Sequence, residues 1–345
     1  MSEDLVAVMP YGPEGASSRV RVLDWIEWLK IDAKILDYGG LSSNRPDVLM
    51  RHPLVAARGE HRLRFGSGTT SRLILSREAS PFSVGRIEGR LLRNAAVGIY
   101  DFDDALFNDT GQGVRRIFSK AKKCAAAVAA ADRVIVGNDY LAEWASERNA
   151  NVTVIPSCVD PGSYVHKSTW TMGEVPRLIW MGSTSTEVFL RTIAPALMHL
   201  NRHRGARLTV VSGTHWQTLG DLDSMIDRIP WSRASFAALL AGGDVGISPI
   251  DDTPYARGKC AYKLLQYAAS GLPVAGSPVG ANALALERFD GLAPRTTAEW
   301  TDALIELVDE APSRRERRGR TALSAVSLHY SFEAWASVWK STVML

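Results

Sequence analysis

Short apolar runs alternate with helical patterns along this chain, and no other feature restricts its fold so strongly. Five runs in the first half have the length and composition of buried strands, at 5–9, 72–76, 97–100, 133–136 and 152–155. Helical patterns lie between them at 20–29, 85–93, 121–131 and 139–148. Such alternation is typical of a parallel sheet with helices on both faces. The sequence therefore predicts the α/β class.

The alternation stops at 161–173 and then restarts, which predicts a linker between two domains. Strand-like runs follow at 177–181, 208–211 and 244–247, with helical patterns at 188–200, 235–241 and 297–310. A chain of 345 residues is long enough for two domains of ordinary size. We expect Rossmann-like domains over 1–165 and 174–330. Ligands of such sheets bind at the carboxyl ends of the strands, so the loops there are the candidate sites.

Charge and composition exclude several classes of protein. The 40 Lys and Arg residues are nearly balanced by 37 Asp and Glu, whereas a nucleic-acid partner usually requires a strongly basic patch. The arginines at 313–320 are expected to coat a helix, with at most a weak attraction to anionic lipid. The widely spaced Cys124, Cys158 and Cys260 indicate no disulfide framework. Without a signal-peptide pattern or an apolar run of about 20 residues, we expect a cytoplasmic protein with no stable membrane insertion.

The segment 246–280 contains a buried strand, a charged loop, a helical pattern and a second buried strand. Within the predicted helix, Lys259, Lys263 and Gln266 fall at i, i+4 and i+7 and share one face. Arg257, Gly258 and Lys259 lie where the helix is expected to begin, and its free N–H groups favour an anion there. The lysines suit a diphosphate, and the amide suits a ribose hydroxyl. A solvated helix face explains the same pattern without a ligand.

Other loops that follow predicted strands are also candidates for contacts with a ligand. Gly182 and Ser183 precede a helix whose first N–H groups would face an anion, although a simple serine N-cap is the alternative. Trp231 either stacks on a planar group of a ligand or belongs to the core. Gly15, in the Gly/Ser loop after the first strand, is a further candidate. That loop lacks a three-glycine fingerprint, so no dinucleotide cofactor is expected.

A strand that ends in three closely spaced acids is the clearest feature of the first domain. If the strand continues, Asp101 and Asp103 point to one side and Asp104 to the other. Asp103 and Asp104 are the candidates for orienting hydroxyl groups of a ligand. A Mg²⁺ site and capping of the next helix are the alternatives. Arg77 and Glu88 are weaker candidates for the same side.

Six stretches, taken in their order and spacing, are typical of one family of enzymes. They are 15–25 (GASSRVRVLDW), 100–107 (YDFDDALF), 131–143 (ADRVIVGNDYLAE), 154–160 (VIPSCVD), 258–274 (GKCAYKLLQYAASGLPV) and 277–282 (SPVGAN). Through them, nearly the whole chain resembles the retaining GT-B glycosyltransferases of family 4. The resemblance implies two Rossmann-like domains that face each other across a cleft, with the last helix, in 331–345, packed back on the first domain. It also implies that the second domain binds a nucleotide sugar, that the first binds the acceptor, and that transfer needs no metal or other cofactor.

The resemblance also suggests roles for the candidate residues. Asp103 and Asp104 would orient the acceptor nucleophile or the sugar hydroxyls, and Asp101 would bind the acceptor. Arg77 and Glu88 are weaker candidates for the acceptor side. The residues assigned to the donor site are Gly15, Gly182, Ser183 and Trp231, with Trp231 on the base unless it belongs to the core.

The chain departs from the family pattern at one important place. Many relatives carry two glutamates eight positions apart, the first near the transferred sugar and the second on the ribose. The matching positions here are Gly258 and Gln266. Gln266 can still bond a ribose hydroxyl, and Lys263 fits a branch of the family with a lysine three residues earlier. Gly258 has no side chain, so other residues must supply the sugar contacts.

These features predict a retaining glycosyltransferase that uses a nucleotide diphosphate sugar, with UDP favoured. Its acceptor would be a hydroxyl of a small polar molecule, such as an aminocyclitol, because an acidic edge attracts amines. Lys259 is assigned a catalytic role because a cation stabilises the leaving diphosphate. The alternatives are a lipid-linked or cell-surface glycan acceptor, a GT-B-fold sugar-nucleotide epimerase, and a silent nucleotide-sugar binder. No clear basic amphipathic anchor is expected near the acceptor domain. Antibiotic or polysaccharide biosynthesis would be the setting.

Overall fold

The computed structural model describes residues 5–12, 15–41, 46–65, 70–111 and 116–345. The chain forms two compact units. One comprises Met1–Cys158, Arg257–Cys260 and Trp335–Leu345, and the other Val159–Ala256 and Ala261–Ala334. The expected linker 161–173 therefore lies inside the second unit.

The first unit contains a six-stranded, wholly parallel sheet with the order β2-β1-β3-β4-β5-β6. Its strands are β1 (Leu5–Val8), β2 (Ala33–Leu36), β3 (Arg72–Ser76), β4 (Val97–Phe102), β5 (Arg133–Val136) and β6 (Val152–Val154). The five predicted strands are confirmed. The sequence missed β2, because only Leu36 of this edge strand is buried and no apolar run marks it.

Helices connect the strands of the first unit. They are α1 (Ala16–Ser18), α2 (Asp24–Leu29), α3 (Pro46–Arg51), α4 (Pro53–Phe65), α5 (Arg86–Asn94), α6 (Lys120–Ala130) and α7 (Asp139–Ser146). A π-helical turn, Arg19–Leu23, joins α1 to α2, and a 3-10 turn spans Leu106–Asn108. Helices α3 and α4 were not predicted from the sequence.

The second unit has a five-stranded parallel sheet with the order β11-β10-β7-β8-β9. Its strands are β7 (Arg177–Met181), β8 (Arg207–Ser212), β9 (Ile226–Pro230), β10 (Val245–Ser248) and β11 (Val274–Gly276). Its helices are α8 (Ala194–Arg204), α9 (Phe236–Ala241), α10 (Pro254–Arg257), α11 (Tyr262–Ala269), α12 (Ala281–Arg288), α13 (Thr297–Asp309) and α14 (Pro312–His329). Short 3-10 helices occupy Pro161–Ser163, Thr184–Ile193 and Gly220–Met225.

Strand β7 shows why this sheet is buried on both faces. Leu178 and Trp180 pack into one hydrophobic cluster, and Ile179 and Met181 pack into another. Successive side chains of a strand point to opposite faces, so an uninterrupted apolar strand supplies both clusters. The alternation of single apolar runs with helices follows directly from this arrangement.

The last helix, α15 (Phe332–Val343), contributes to the first unit from Trp335 onward. Trp339 stacks on Trp25 with ring centroids 5.4 Å apart. Arg133 Nη1 donates a hydrogen bond to the Thr342 carbonyl over 2.8 Å. Among the described residues, no helix is both long and apolar enough to cross a membrane.

One expectation about the helices is wrong, and another is only partly confirmed. Helix α11 begins at Tyr262, after Ala261 in a left-handed conformation with φ 55°. Lys259 therefore precedes the helix and does not share a face with Lys263 and Gln266, and no helix begins at Gly258.

The arginines at 313–320 lie on α14, as expected, but they do not all coat its surface. Arg314, Arg317 and Arg320 are exposed, whereas Arg315 and Arg318 are buried.

Candidate functional site

The carboxyl ends of β3 and β4 bring three of the predicted site residues together. Ser76 and Asp101 are partners in the parallel register, so Arg77 and the pair Asp103 and Asp104 leave neighbouring strands at the same edge. Arg77 Nη1 lies 2.7 Å from an oxygen of each of these two carboxylates. The same nitrogen donates to Ser17 Oγ over 3.0 Å. We call Arg77, Asp103, Asp104 and Lys259 the Arg77 cluster.

The backbone of Arg77 is held in an unusual conformation. Its φ is 63°, in the left-handed region that non-glycine residues rarely adopt. The Arg77 N–H donates to the Asp101 carbonyl over 2.8 Å, and Tyr100 Oη donates to the Arg77 carbonyl over 2.7 Å. Such conformations persist where surrounding contacts fix them, and they are frequent at functional sites.

Lys259 completes the cluster from a distant part of the sequence. Its Nζ lies 3.2 Å from Asp104 Oδ1, and Asn138 Nδ2 donates to its carbonyl over 3.1 Å. A Cβ on neighbouring Gly258 would lie 2.5 Å from the Ala105 nitrogen. No side chain fits at Gly258, so the first glutamate of the family pattern has no room here.

The charge of Asp104 is strongly stabilised. Burial by itself raises the pKa of this carboxyl, but the neighbouring Arg77 and Lys259 outweigh that effect and lower the pKa to about 2. A carboxylate this acidic is a poor general base, because the best catalytic pKa lies near the working pH. Asp104 is therefore suited to orienting cations or hydroxyl groups.

Asp103 differs from Asp104 in how many of its carboxylate oxygens are paired. Its Oδ1 is bonded to Arg77, whereas Oδ2 has no hydrogen bond from any described residue. The side chain is 14% exposed. Asp103 thus offers an oriented acceptor oxygen at the sheet edge.

Asp101 is a structural residue in this geometry, contrary to its predicted role in acceptor binding. It is 1% exposed, and Arg21 Nη2 lies 2.6 Å from its Oδ2. Arg21 Nη1 also donates to the Ile155 carbonyl over 2.8 Å. Burial lowers the pKa of Arg21, but Asp101 more than compensates and the net pKa is raised. Sequence reasoning missed Arg21, although an arginine in an otherwise apolar helical segment was a usable signal.

Glu88 is likewise buried and structural, so its predicted acceptor role is not supported by its position. Its Oε1 accepts hydrogen bonds from the Ala79 and Ser80 N–H groups over 3.1 and 3.3 Å. Burial raises the pKa of Glu88. Glu88 therefore shapes the loop that follows Arg77.

In the second unit, Lys263 reaches the carboxyl end of β7. A Cβ on Gly182 would lie 2.7 Å from Lys263 Cε and 2.7 Å from a ring carbon of Trp180. Lys263 Nζ lies 5.3 Å from the Trp180 ring centroid. The absence of a side chain at Gly182 therefore gives Lys263 room beside the start of the next 3-10 helix, where Ser183 is the N-cap residue without a side-chain cap bond.

The other residues predicted to bind the donor substrate each lie in a different environment. Gln266 is 5% exposed on α11. The Trp231 N–H donates to the Ser212 carbonyl over 2.7 Å, and its ring stacks on Phe236. Arg257 ends α10 and is exposed. Gly15 is the N-cap of α1, and a Cβ there would collide with the Tyr11 side chain at 2.2 Å.

The residues that the structure describes include no group of three or more His, Cys, Asp or Glu suited to a metal ion. Arg77 and Lys259 already neutralise the acids after β4, and a divalent cation would have to displace them. The three cysteines are buried and unbridged.

Comparisons with known proteins concern the fold. No protein-family model and no curated protein sequence matches the chain. Sucrose-phosphate synthase from Thermosynechococcus elongatus superposes with a TM-score of 0.70 at 13% identity, covering 98% of each chain. WaaG, a glycosyltransferase of lipopolysaccharide biosynthesis, gives 0.67 at 12%, with 98% of this chain and 99% of WaaG covered. HepE from Anabaena, in complex with UDP and glucose, gives 0.66 at 12% over 99% of each chain. The predicted α/β class and GT-B fold are thereby confirmed.

The depressed pKa of Asp104 predicts how stability depends on pH. Since the folded pKa of about 2 lies below the ordinary 3.8, ionised Asp104 stabilises the fold above pH 3.8, and this contribution is lost as pH falls toward 2. It is worth about 2 kcal/mol at most. We expect wild type to unfold at a higher urea midpoint than Asp104→Asn. The difference between the two midpoints should stay constant from about pH 8 to about pH 5 and should decrease below about pH 4. The exposed Asp139→Asn is the control, and a constant gap down to the lowest pH would contradict the assignment.

Proposed function

We propose that this protein is a retaining, metal-independent glycosyltransferase that moves a sugar from a nucleotide diphosphate sugar to a hydroxyl acceptor. The observation that carries the proposal is the position of Lys263 beside Gly182, at the carboxyl end of β7. Ligands of parallel α/β sheets bind at this edge, and a lysine there is suited to a phosphate. The retaining outcome is taken from the family resemblance. UDP is the favoured nucleotide, in line with the UDP bound to HepE.

The proposed donor site uses charge to assist departure of the diphosphate. The C1–O bond to the diphosphate breaks, and the leaving group gains negative charge. A preorganised cation and N–H donors lower the barrier to this step. Lys263 supplies the cation, and the Ser183 N–H supplies a donor, whereas the Gly182 N–H already donates to the Val211 carbonyl over 3.0 Å. Gln266 bonds the ribose, and Trp231 lies against the base.

The proposed acceptor site is the Arg77 cluster. The unbonded Oδ2 of Asp103 accepts a hydrogen bond from the nucleophilic hydroxyl and orients it. Asp104 stays ionised and holds Lys259 and Arg77 in place. Asp103 Oδ2 is also the oxygen at which an amine of a small polar acceptor, such as an aminocyclitol, would bind, because Arg77 and Lys259 already pair with the other three carboxylate oxygens.

A lipid-linked or cell-surface glycan acceptor is a second candidate, because one observation favours it. Helix α4 of the first unit presents arginines and large apolar side chains to solvent. A basic and apolar surface on the unit that takes the acceptor suits a substrate held at a membrane.

Thermal-shift measurements with UDP, GDP, ADP and dTDP, each with and without EDTA, test the donor proposal. We expect one diphosphate, UDP first, to raise the melting temperature equally in both conditions, because binding to the native state alone stabilises it. No shift with any diphosphate would contradict the donor site. A shift abolished by EDTA would contradict metal independence.

Replacing Lys263 tests the residue that carries the proposal. Lys263→Ala should raise the Kd of the preferred diphosphate at least about tenfold, since a charge-assisted phosphate contact is worth about 1.5–3 kcal/mol. Isothermal titration calorimetry measures the change. Arg317→Ala, an exposed cation on α14, should leave the Kd unchanged. An unaltered Kd in Lys263→Ala would remove this residue from the site.

Asparagine at Asp103, at Asp104 and at both positions should leave diphosphate binding intact while lowering turnover. Initial rates of acceptor glycosylation measure turnover, and melting temperatures identify loss of fold. Asp139→Asn, an exposed acid of the same unit, should keep full turnover. If diphosphate binding fails in a folded variant, these acids belong to the donor site.

The wild-type protein in the same assays distinguishes the alternative functions. Conversion of the nucleotide sugar without an acceptor would indicate an epimerase. Binding of the nucleotide sugar without turnover of any acceptor would indicate a silent binder.

A further inference from the structure

The solvent-exposed face of α4 carries large apolar and basic side chains. Leu54, Arg58, His61 and Phe65 fall at i, i+4, i+7 and i+11, so they form one stripe. Leu54 is 71% and Phe65 75% exposed. The opposite face is buried at Gly59, where a Cβ would lie 2.7 Å from the Tyr38 ring. The helix is thus fixed to the first unit by one face and presents large apolar side chains on the other.

Positive charge surrounds this stripe. Arg51, Arg58 and Arg62 are exposed, and neither Arg58 nor Arg62 forms an ion pair with a side chain that the structure describes. Glu60 points inward, where Tyr38 Oη and Ser80 Oγ each donate to its Oε1 over 2.5 Å. It also pairs with Arg64 over 3.1 Å. Glu60, the one acid on α4, therefore leaves Arg58 and Arg62 uncompensated.

Helix α14 shows that arginine content alone does not make such a surface. Arg315 and Arg318 are 4% exposed. Arg318 bonds Glu306 over 2.8 Å, and Arg315 donates to the Trp170 carbonyl over 3.0 Å. Arg314 pairs with Glu306 over 2.9 Å and Arg320 with Glu316 over 2.8 Å. Most of the charge on α14 is therefore already matched within the second unit.

We propose that the α4 surface docks on an anionic lipid bilayer. This surface consists of Met50, Arg51, Leu54, Arg58, Arg62 and Phe65. Cations attract anionic headgroups, while apolar side chains enter the boundary between headgroups and acyl chains. Met50, at 76% exposure on neighbouring α3, adds a third apolar group. A nucleic acid would match the arginines but provides no apolar phase for exposed Met, Leu and Phe side chains, so lipid explains both parts of the surface.

Vesicle co-sedimentation of the full chain tests the proposal. Wild type should pellet with vesicles of phosphatidylcholine and phosphatidylglycerol, less with added salt, and little with phosphatidylcholine alone. Arg58→Glu with Arg62→Glu should lower the partition coefficient at least about 25-fold, since one cation near the surface is worth about fivefold. Leu54→Ser with Phe65→Ser should lower it without changing the salt dependence. The charge-matched control, Arg317→Glu with Arg320→Glu on α14, changes the net charge by the same amount and should bind like wild type. Leu328→Ser, which removes an exposed apolar side chain from α14, should also bind like wild type.

All of these positions are exposed, and equal melting temperatures verify the fold of each variant. Absence of wild-type binding to anionic vesicles would overturn the proposal. An equal loss in the charge-matched α14 control would also overturn it, by indicating general electrostatic attraction. Binding to single-stranded RNA, lost in the arginine variant, with no binding to vesicles would assign the surface to a polyanion instead. The outcome does not depend on donor binding or turnover.

Discussion

The ion pairs of Arg77 with Asp103 and Asp104 are the interaction around which the first unit's candidate site is built. They exist because β3 and β4 are parallel neighbours in register, so residues that follow the two strands meet at one edge. The left-handed Arg77 backbone is fixed by hydrogen bonds to Asp101 and Tyr100. One guanidinium nitrogen then holds both carboxylates, and Lys259 shares the second. This edge is consequently preorganised and ionised, which suits orientation of a substrate better than proton transfer.

At two positions near the candidate site residues, glycine is required because a side chain would clash with its neighbours. Gly258 allows close approach to Ala105, and this keeps neighbouring Lys259 against Asp104. Gly182 leaves the space that Lys263 occupies beside Trp180. Both glycines lie next to a lysine that we assign to function. Each glycine is therefore required by packing. A glutamate, which the sequence resemblance would place at position 258, has no room there.

Arginines have three different roles in this chain, and the roles differ in the burial and the ion pairs of the side chain. Arg21 is buried against Asp101 and links a helix to the sheet. Arg77 is buried at a sheet edge and orients two carboxylates. Arg58 and Arg62 are exposed and unmatched by acids among the described residues, next to apolar groups. A buried ion pair organises structure at a desolvation cost, whereas an exposed cation beside apolar side chains is available to a partner.

The sequence by itself determined the α/β class, most of the strands, and the acids after β4, because periodic burial and strand-end chemistry are local properties. It missed β2, because this edge strand buries only Leu36 and so shows no apolar run. It also missed the exposed face of α4. It misplaced Lys259 because Ala261, with φ 55°, delays the start of α11, and no helical periodicity reveals that delay. Only the tertiary structure decided that Asp101 pairs with Arg21 and that Asp104 pairs with Lys259, 80 and 155 residues away in sequence. Such contacts depend on strand order and register, which bring together residues that no local pattern connects.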